Sequence, residues 1–125
     1  MTYLPIAVTV AAALITTNVA AAKYQFVAMD NTLETQLCVY AGANKKSAFK
    51  STLRKLHYGT KYRVVNNLHC NDVSLAKFAY QYGAEDTFNY INRYTYPSKK
   101  VNPKVIIRDI AKLDKPIVIH VSTGN

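Results

Sequence analysis

The sequence predicts a single small α+β domain, in which three to four short helices pack on a small antiparallel sheet and one disulfide joins two distant segments. Apolar residues recur at helical spacing through the middle of the chain, whereas alternating or β-branched runs lie toward its two ends. Half of the 125 residues are apolar, and glycine and proline occur only four times each. This composition predicts a packed core and not a disordered chain.

The N-terminus has the order of a secretory signal peptide. Residues 4–15 are apolar apart from Thr9, and a short polar segment separates them from a group of small residues that ends at Ala22. Signal peptidase accepts only small side chains such as Ala20 and Ala22 before the cut. We therefore expect residues 1–22 to be removed, which leaves residues 23–125 as one domain.

The length of the apolar stretch argues against a lasting membrane anchor. It falls short of the ~20 residues that a helix needs to cross a bilayer, so we expect no stable anchor after cleavage. Residues 1–3 contain no Lys or Arg, which departs from the usual signal pattern. The alternative, a buried N-terminal helix of a cytosolic protein, stays open.

The expected export bears on the state of the two cysteines. In an oxidising compartment such a pair is more often joined than free, which predicts a disulfide between Cys38 and Cys70. A bridge across a loop of this length stabilises a domain by ~3–4 kcal/mol in the chain-entropy model. A reactive thiol or a metal site is the alternative, although Cys38, His69 and Cys70 lack the paired spacing of zinc ligands.

Strands are predicted at both ends of the expected mature chain. Alternation of apolar and polar residues predicts a strand over residues 24–28. The β-branched runs at residues 105–107 and 117–119 predict two more. Together these three strands would form the small antiparallel sheet.

Two helices are expected in the first half of the chain. Asn31 and Glu34 have the spacing of a capping box, which predicts the start of a helix over residues 32–41. Asn44 is expected to cap a second helix over residues 45–56, in which apolar side chains occupy one face.

Two further helices are expected in the second half. Residues 60–69 fit neither the helical nor the strand pattern. Residues 70–72, Cys-Asn-Asp, would supply caps for a third helix that ends near Tyr82. A short fourth helix is expected over residues 85–92.

Several segments resemble a known family. They are FVAMDN at 26–31, ETQLCV at 34–39, LHCND at 68–72 and QYGA at 81–84. The chain resembles a family of small exported gammaproteobacterial proteins that is known only as a domain of unknown function. The resemblance covers about residues 26–84 and implies a signal peptide, two matching cysteines and no established activity.

The sequence contains no recognised catalytic motif. It has no nucleophile elbow, no Gly-rich phosphate loop and no paired-histidine zinc motif, so we predict no catalytic residue, metal ligand or cofactor. Asp72 is read as a helix cap, and His120 as a structural imidazole within a strand. The alternative is a small secreted hydrolase or toxin-like effector that uses His57, His69 or His120 as its base.

Positive charge is the clearest functional signal. Sixteen Lys and Arg against seven Asp and Glu give a formal net charge of +9, and residues 45–63 contain seven basic residues and no acidic one. Lys46, Lys50 and Arg54 recur at i, i+4 and i+8, which places them on one face of the predicted second helix. The candidate anion-binding residues are Lys46, Lys50, Arg54, Lys55, Lys61 and Arg63.

A concentrated positive field attracts polyanions, so the candidate partners are an anionic envelope component, an acidic polysaccharide or nucleic acid. Tyrosines interleave with these cations, as Tyr62 does with Lys61, and their rings can stack on bases or sugars. A solvated surface that keeps the protein soluble is the plainer explanation of the same lysines. We expect a non-enzymatic exported protein, periplasmic or secreted, of undetermined oligomeric state.

Overall fold

The computed structural model describes residues 24–56, 60–102 and 116–124. Five helices, a short 3-10 helix and five strands lie within these ranges, which confirms a small α+β domain. In chain order they are β1 (Tyr24–Ala28), α1 (Leu33–Gly42), α2 (Lys46–Lys55), α3 (Lys61–Asn67), β2 (His69–Cys70), β3 (Val73–Ser74), α4 (Leu75–Gln81), α5 (Glu85–Tyr94), the 3-10 helix Pro97–Lys99, β4 (Ile117–Val121) and β5 (Thr123–Gly124).

The strands form two small sheets. In one, β2 pairs antiparallel with both β3 and β5. In the other, β1 pairs with β4 in parallel, from Tyr24 beside Ile117 to Ala28 beside Val121. An antiparallel sheet is therefore present, but the prediction that β1 and β4 belong to it is wrong. The helices between these two strands form a long crossover, which is the connection that parallel strands require. The predicted strand at 105–107 lies outside the described residues.

Helix α1 occupies the centre of the core. Leu37, Cys38 and Ala41 are completely buried, and the helix packs against β1, α2, α4 and α5. Its last residue, Gly42, lies directly beneath aromatic rings. A Cβ atom there would come within 2.6 Å of Phe26 and 2.8 Å of Phe78, so no larger residue fits without displacing these rings.

The start of α1 differs by one residue from the predicted capping box. Thr32, and not Asn31, is the N-cap, and its hydroxyl oxygen accepts a hydrogen bond of 3.2 Å from the Thr35 amide. The Thr32 hydroxyl in turn donates to Asp30 at 2.6 Å. This hydrogen bond, with a smaller contribution from Thr35, lowers the pKa of the exposed Asp30 carboxyl below 3.8.

The predicted disulfide is confirmed. Cys38 in α1 and Cys70 in β2 are joined, and both residues are completely buried. The bridge therefore connects the central helix to the antiparallel sheet. No free cysteine remains, because the sequence contains only these two.

The third predicted helix begins later than expected. Asn71 and Asp72 have φ angles of 47° and 66°, and they form the two-residue turn between β2 and β3. Such a turn needs positive φ at both positions, which Asn and Asp tolerate better than most residues. The prediction that residues 70–72 cap a helix is therefore wrong. The cap of α4 is Ser74, whose hydroxyl oxygen accepts a 3.2 Å hydrogen bond from the Lys77 amide.

The stretch that fits neither pattern contains the additional helix α3. Thr60 caps it by accepting a hydrogen bond from the Arg63 amide. Val64 and Val65 form its buried side. These β-branched residues have low helix propensity, which explains why the sequence pattern is ambiguous here.

Asn44 caps a helix other than the one predicted. Its oxygen accepts hydrogen bonds from the amides of Asp86 at 2.8 Å and Thr87 at 3.1 Å, in the first turn of α5. The residue that precedes α5, Ala84, has no side chain that can serve as a cap. Asn44 itself has a φ of 59°, in the left-handed region that asparagine tolerates. One side chain thus joins the α1–α2 connection to α5.

Asn44→Gly is expected to lower the free energy of unfolding by about 1 kcal/mol, because it removes the cap of α5 and keeps a residue that tolerates positive φ. Asn44→Ala should cost a further ~1–2 kcal/mol, since alanine is strained in the left-handed region. Urea denaturation of the three proteins checks this order. Equal stability of all three would contradict the capping role.

Candidate anion-binding surface

Helix α2 has one buried and one basic side. Phe49, Thr52 and Leu53 face the core. Lys46 and Arg54 are exposed and Lys50 is half-buried. Because these three residues are spaced by four, their side chains follow one line along the helix. We call this line of Lys46, Lys50 and Arg54 the basic stripe.

Lysines from two helices lie over neighbouring tyrosine rings of α5. The Lys50 ammonium of α2 is 5.5 Å from the ring centroid of Tyr90, and the Lys61 ammonium of α3 is 5.6 Å from that of Tyr94. The two ring centroids are 5.2 Å apart. We call Tyr90 and Tyr94 the tyrosine pair. Lys50 and Lys61 thus lie over adjacent rings, although they belong to different helices.

The tyrosine pair is fixed by packing on both sides. The Phe49 ring contacts Tyr90 edge-on with centroids 6.0 Å apart, and the Tyr62 ring contacts Tyr94 edge-on at 5.2 Å. Offset and edge-on ring contacts of this kind contribute about 0.5–1.5 kcal/mol each beyond their buried area. The rings therefore hold α2 and α3 against α5.

A buried asparagine fixes α3 at the end of α5. The amide nitrogen of Asn66 donates to the carbonyl oxygens of Tyr62 at 2.7 Å and Tyr94 at 3.0 Å. Its oxygen accepts a 2.8 Å hydrogen bond from the Tyr96 amide. Lys99 adds a 3.4 Å contact from its ammonium group to the Asn66 carbonyl at the end of α3. These bonds determine where Lys61 lies relative to Tyr94.

The basic side chains of α2 and α3 have no acidic partner within 24–56, 60–102 and 116–124, where they form no ion pair. Their charges are therefore compensated by solvent and, for Lys50 and Lys61, by the tyrosine rings. The candidates do not all share one face. Lys55 follows Lys50 by five positions, and Arg63 follows Lys61 by two. Lys55 therefore lies on a different side of α2 from Lys50, and Arg63 on a different side of α3 from Lys61.

Arg63 lines an open cavity of about 550 Å³ instead. The cavity lies between the first turn of α1, the end of α2, helix α3 and strand β5. Its described lining consists of Thr32, Glu34, Leu56, Arg63, Val64, Asn67, Leu68, Thr123 and Gly124. Neither Lys50 nor Lys61 is among these residues, so the cavity is separate from the tyrosine pair.

The histidines do not form a catalytic arrangement in the described part of the chain. The Nδ1 atom of His69 lies 3.2 Å from the carbonyl oxygen of Asn67, and His120 is exposed on β4. Neither imidazole contacts a carboxylate or a hydroxyl there. His57 lies outside the described residues. The same ranges hold no group of three His, Cys, Asp or Glu that is arranged to bind a metal ion.

Comparison with protein families shows a match to this chain. The family described as "Protein of unknown function (DUF3718)" matches residues 37–107, which is more than half of the chain. The chain belongs to this family. The family match includes both cysteines and all six candidate anion-binding residues, and it confirms the predicted resemblance to a domain of unknown function. It extends beyond the predicted resemblance at its C-terminal end, to residue 107, and begins later, at residue 37.

Further comparisons add no named relative. Neither a curated protein nor a solved structure matches the chain. None of the helices in the described ranges combines the length and apolar character needed to span a bilayer.

Tyr90→Phe is expected to keep or raise the free energy of unfolding, by up to about 1 kcal/mol. The Tyr90 hydroxyl is buried without a hydrogen-bond partner among the described residues. Its removal therefore eliminates the free-energy cost of burying it, while the aromatic ring that Lys50 contacts is kept. Tyr90→Leu should instead lower stability by about 1–2 kcal/mol, because the ring contacts are lost. Thermal and urea denaturation measure both. A Phe variant as unstable as the Leu variant would show that the hydroxyl has a partner.

Proposed function

We propose that this protein is an exported, non-enzymatic binding protein that uses the basic stripe of α2 and the Lys61 end of α3 to bind an anionic polymer. One observation carries the proposal: Lys50 and Lys61, from two helices, lie over neighbouring tyrosine rings and have no acidic partner in the described residues.

The absence of compensating acids makes this surface attractive to anions. A lysine in an ion pair must give up its partner before it binds a phosphate, sulfate or carboxylate group, whereas an unpaired lysine exchanges only water and counterions. Lys46, Lys50 and Arg54 repeat along α2 every four residues, at intervals of about 6 Å. A polymer that carries regularly spaced negative charges can contact several of them at once.

The tyrosine rings add a second contribution. A cation over a ring face is held in position and keeps N–H groups available for an anion, so less side-chain freedom is lost on binding. Tyr62 is 49% exposed beside Tyr94, and Tyr96 is 46% exposed. Exposed rings next to cations suit a polymer whose charged groups alternate with flat or cyclic units, such as sugars or bases.

Export is the part of the proposal that concerns location. A buried disulfide persists in an oxidising compartment and is rare in the cytosol. The Cys38–Cys70 bridge and the signal-like order of residues 1–22 both support a periplasmic or secreted protein.

Lys46→Gln with Arg54→Gln tests the binding surface. Both residues are exposed, so the fold should be kept, and Lys50 stays over Tyr90. We expect the dependence of log affinity on log salt concentration, measured with heparin and with duplex DNA, to lose about one unit of slope per removed contact, or about two in all. Affinity at low salt should fall accordingly.

The matched control is Lys77→Gln with Lys100→Gln, which removes two exposed charges from α4 and from the segment after the 3-10 helix. This variant has the same net charge as the test variant and leaves the basic stripe intact. A binding loss of equal size in both variants would show that only net charge matters and would reject the proposed surface.

The intact mass of the protein from its native host tests export. We expect the mass of residues 23–125, or of a chain cut one residue earlier, with no thiol that can be alkylated before reduction and two afterwards. A chain that retains Met1 and carries two free thiols would reject an exported role.

A further inference from the structure

Arg63 and Glu34 are the charged side chains in the described lining of the open cavity, and neither has a partner in the described parts of the chain. No hydrogen bond or ion pair joins their side chains to another described residue or to each other. The threonine hydroxyls of the lining are already used. Thr32 donates to Asp30 at 2.6 Å, and Thr123 shares a 3.1 Å hydrogen bond with Thr35.

Apolar side chains form another part of the cavity wall. Leu56, Val64 and Leu68 are at most 9% exposed and belong to the hydrophobic core, yet they line this space. The cavity of about 550 Å³ falls within the roughly 300–1,000 Å³ of small-molecule sites. The described lining thus combines an apolar wall with a positive and a negative group that have no partner among the described residues.

We propose that this cavity binds a zwitterionic ligand with an apolar side chain, that is, an amino acid or a short peptide. The Arg63 guanidinium would bind the ligand's carboxylate, for which its planar donors suit two parallel hydrogen bonds. The Glu34 carboxylate would accept hydrogen bonds from the ligand's ammonium group. The apolar side chain would pack against Leu56, Val64 and Leu68.

The pairing of opposite charges selects this class of ligand over simpler ions. An anion that approaches Arg63 is repelled by the negative charge of Glu34. A cation that approaches Glu34 is repelled by the positive charge of Arg63. A ligand that carries both charges satisfies both groups at once. This charge complementarity favours specificity for a zwitterion, because each mismatched ligand leaves one like-charge contact.

The inference is independent of the anionic-polymer proposal. The basic stripe and Lys61 do not line the cavity, and Arg63 is turned away from Lys61 on α3. Loss of polymer binding in the Lys46→Gln, Arg54→Gln protein therefore leaves the zwitterion site unchanged, and the reverse also holds.

The dipeptide leucyl-leucine is the probe for this site. It is titrated at millimolar concentrations into the mature, oxidised protein while backbone amide signals are followed by NMR. We expect saturable shifts centred on Val64, Leu68, Thr123 and Gly124. The absence of shifts at these residues would overturn the proposal.

Charge variants and modified probes separate the two ends of the ligand. Arg63→Gln should weaken leucyl-leucine binding at least about tenfold, whereas Arg93→Gln, a matched change at an exposed arginine of α5 outside the described cavity lining, should leave it unchanged. Glu34→Gln should weaken the binding of leucyl-leucine. It should not weaken the binding of N-acetyl-leucine, which lacks the ammonium group. Glu85→Gln is the acidic control.

The opposite results are equally informative. Equal binding by the Arg63→Gln and wild-type proteins, or equal losses in Arg63→Gln and Arg93→Gln, would reject Arg63 as the carboxylate contact. Circular dichroism of each variant establishes that the fold is retained, so that a loss of binding reports on the cavity.

Discussion

The rest of the structure depends on the buried bond between Cys38 and Cys70. Cys38 lies in α1, the helix that contacts β1, α2, α4 and α5. Cys70 lies in β2, the strand that carries both β3 and β5. Strands of only two residues are marginal on their own, so this sheet needs an external attachment. The disulfide supplies it, and so determines where the turn at Asn71 and the strand β5 lie relative to the helices.

Asparagine side chains also connect elements of the fold, because their amide groups form hydrogen bonds with backbone groups as a peptide group would. Asn71 accepts from the Ser122 amide at 2.8 Å and donates to the His120 carbonyl at 2.9 Å, which attaches the β2–β3 turn to the chain between β4 and β5. Asn66 performs the same role between α3 and the end of α5. Helices use most of their backbone groups in bonds within themselves, so these side chains provide the directional contacts between elements.

The sequence predicts those features that depend on local pattern or on a unique pair of residues. The α+β class, the disulfide and the basic stripe follow from composition, from the cysteine count and from four-residue spacing. The sequence pattern does not predict contacts between distant elements. Asn44 has the residue type and the sequence position of a cap for α2. It caps α5 instead, because α5 packs beside it. The spacing of Tyr90 and Tyr94 is visible in the sequence, but their approach to Lys50 and Lys61 depends on three helices meeting.

The parallel pairing of β1 with β4 sets a limit on when folding can finish. Tyr24 lies opposite Ile117, so β1 gains its partner strand only when a segment far along the chain docks beside it. The helices and the Cys38–Cys70 bridge can form earlier, since their residues are closer along the chain. Until β4 docks, β1 has an unpaired edge, which is a template for association with other chains. Strands β1 and β4 thus act as a closing seam, and a premature stop shortly before residue 117 would remove the seam while leaving most of the helical core encoded.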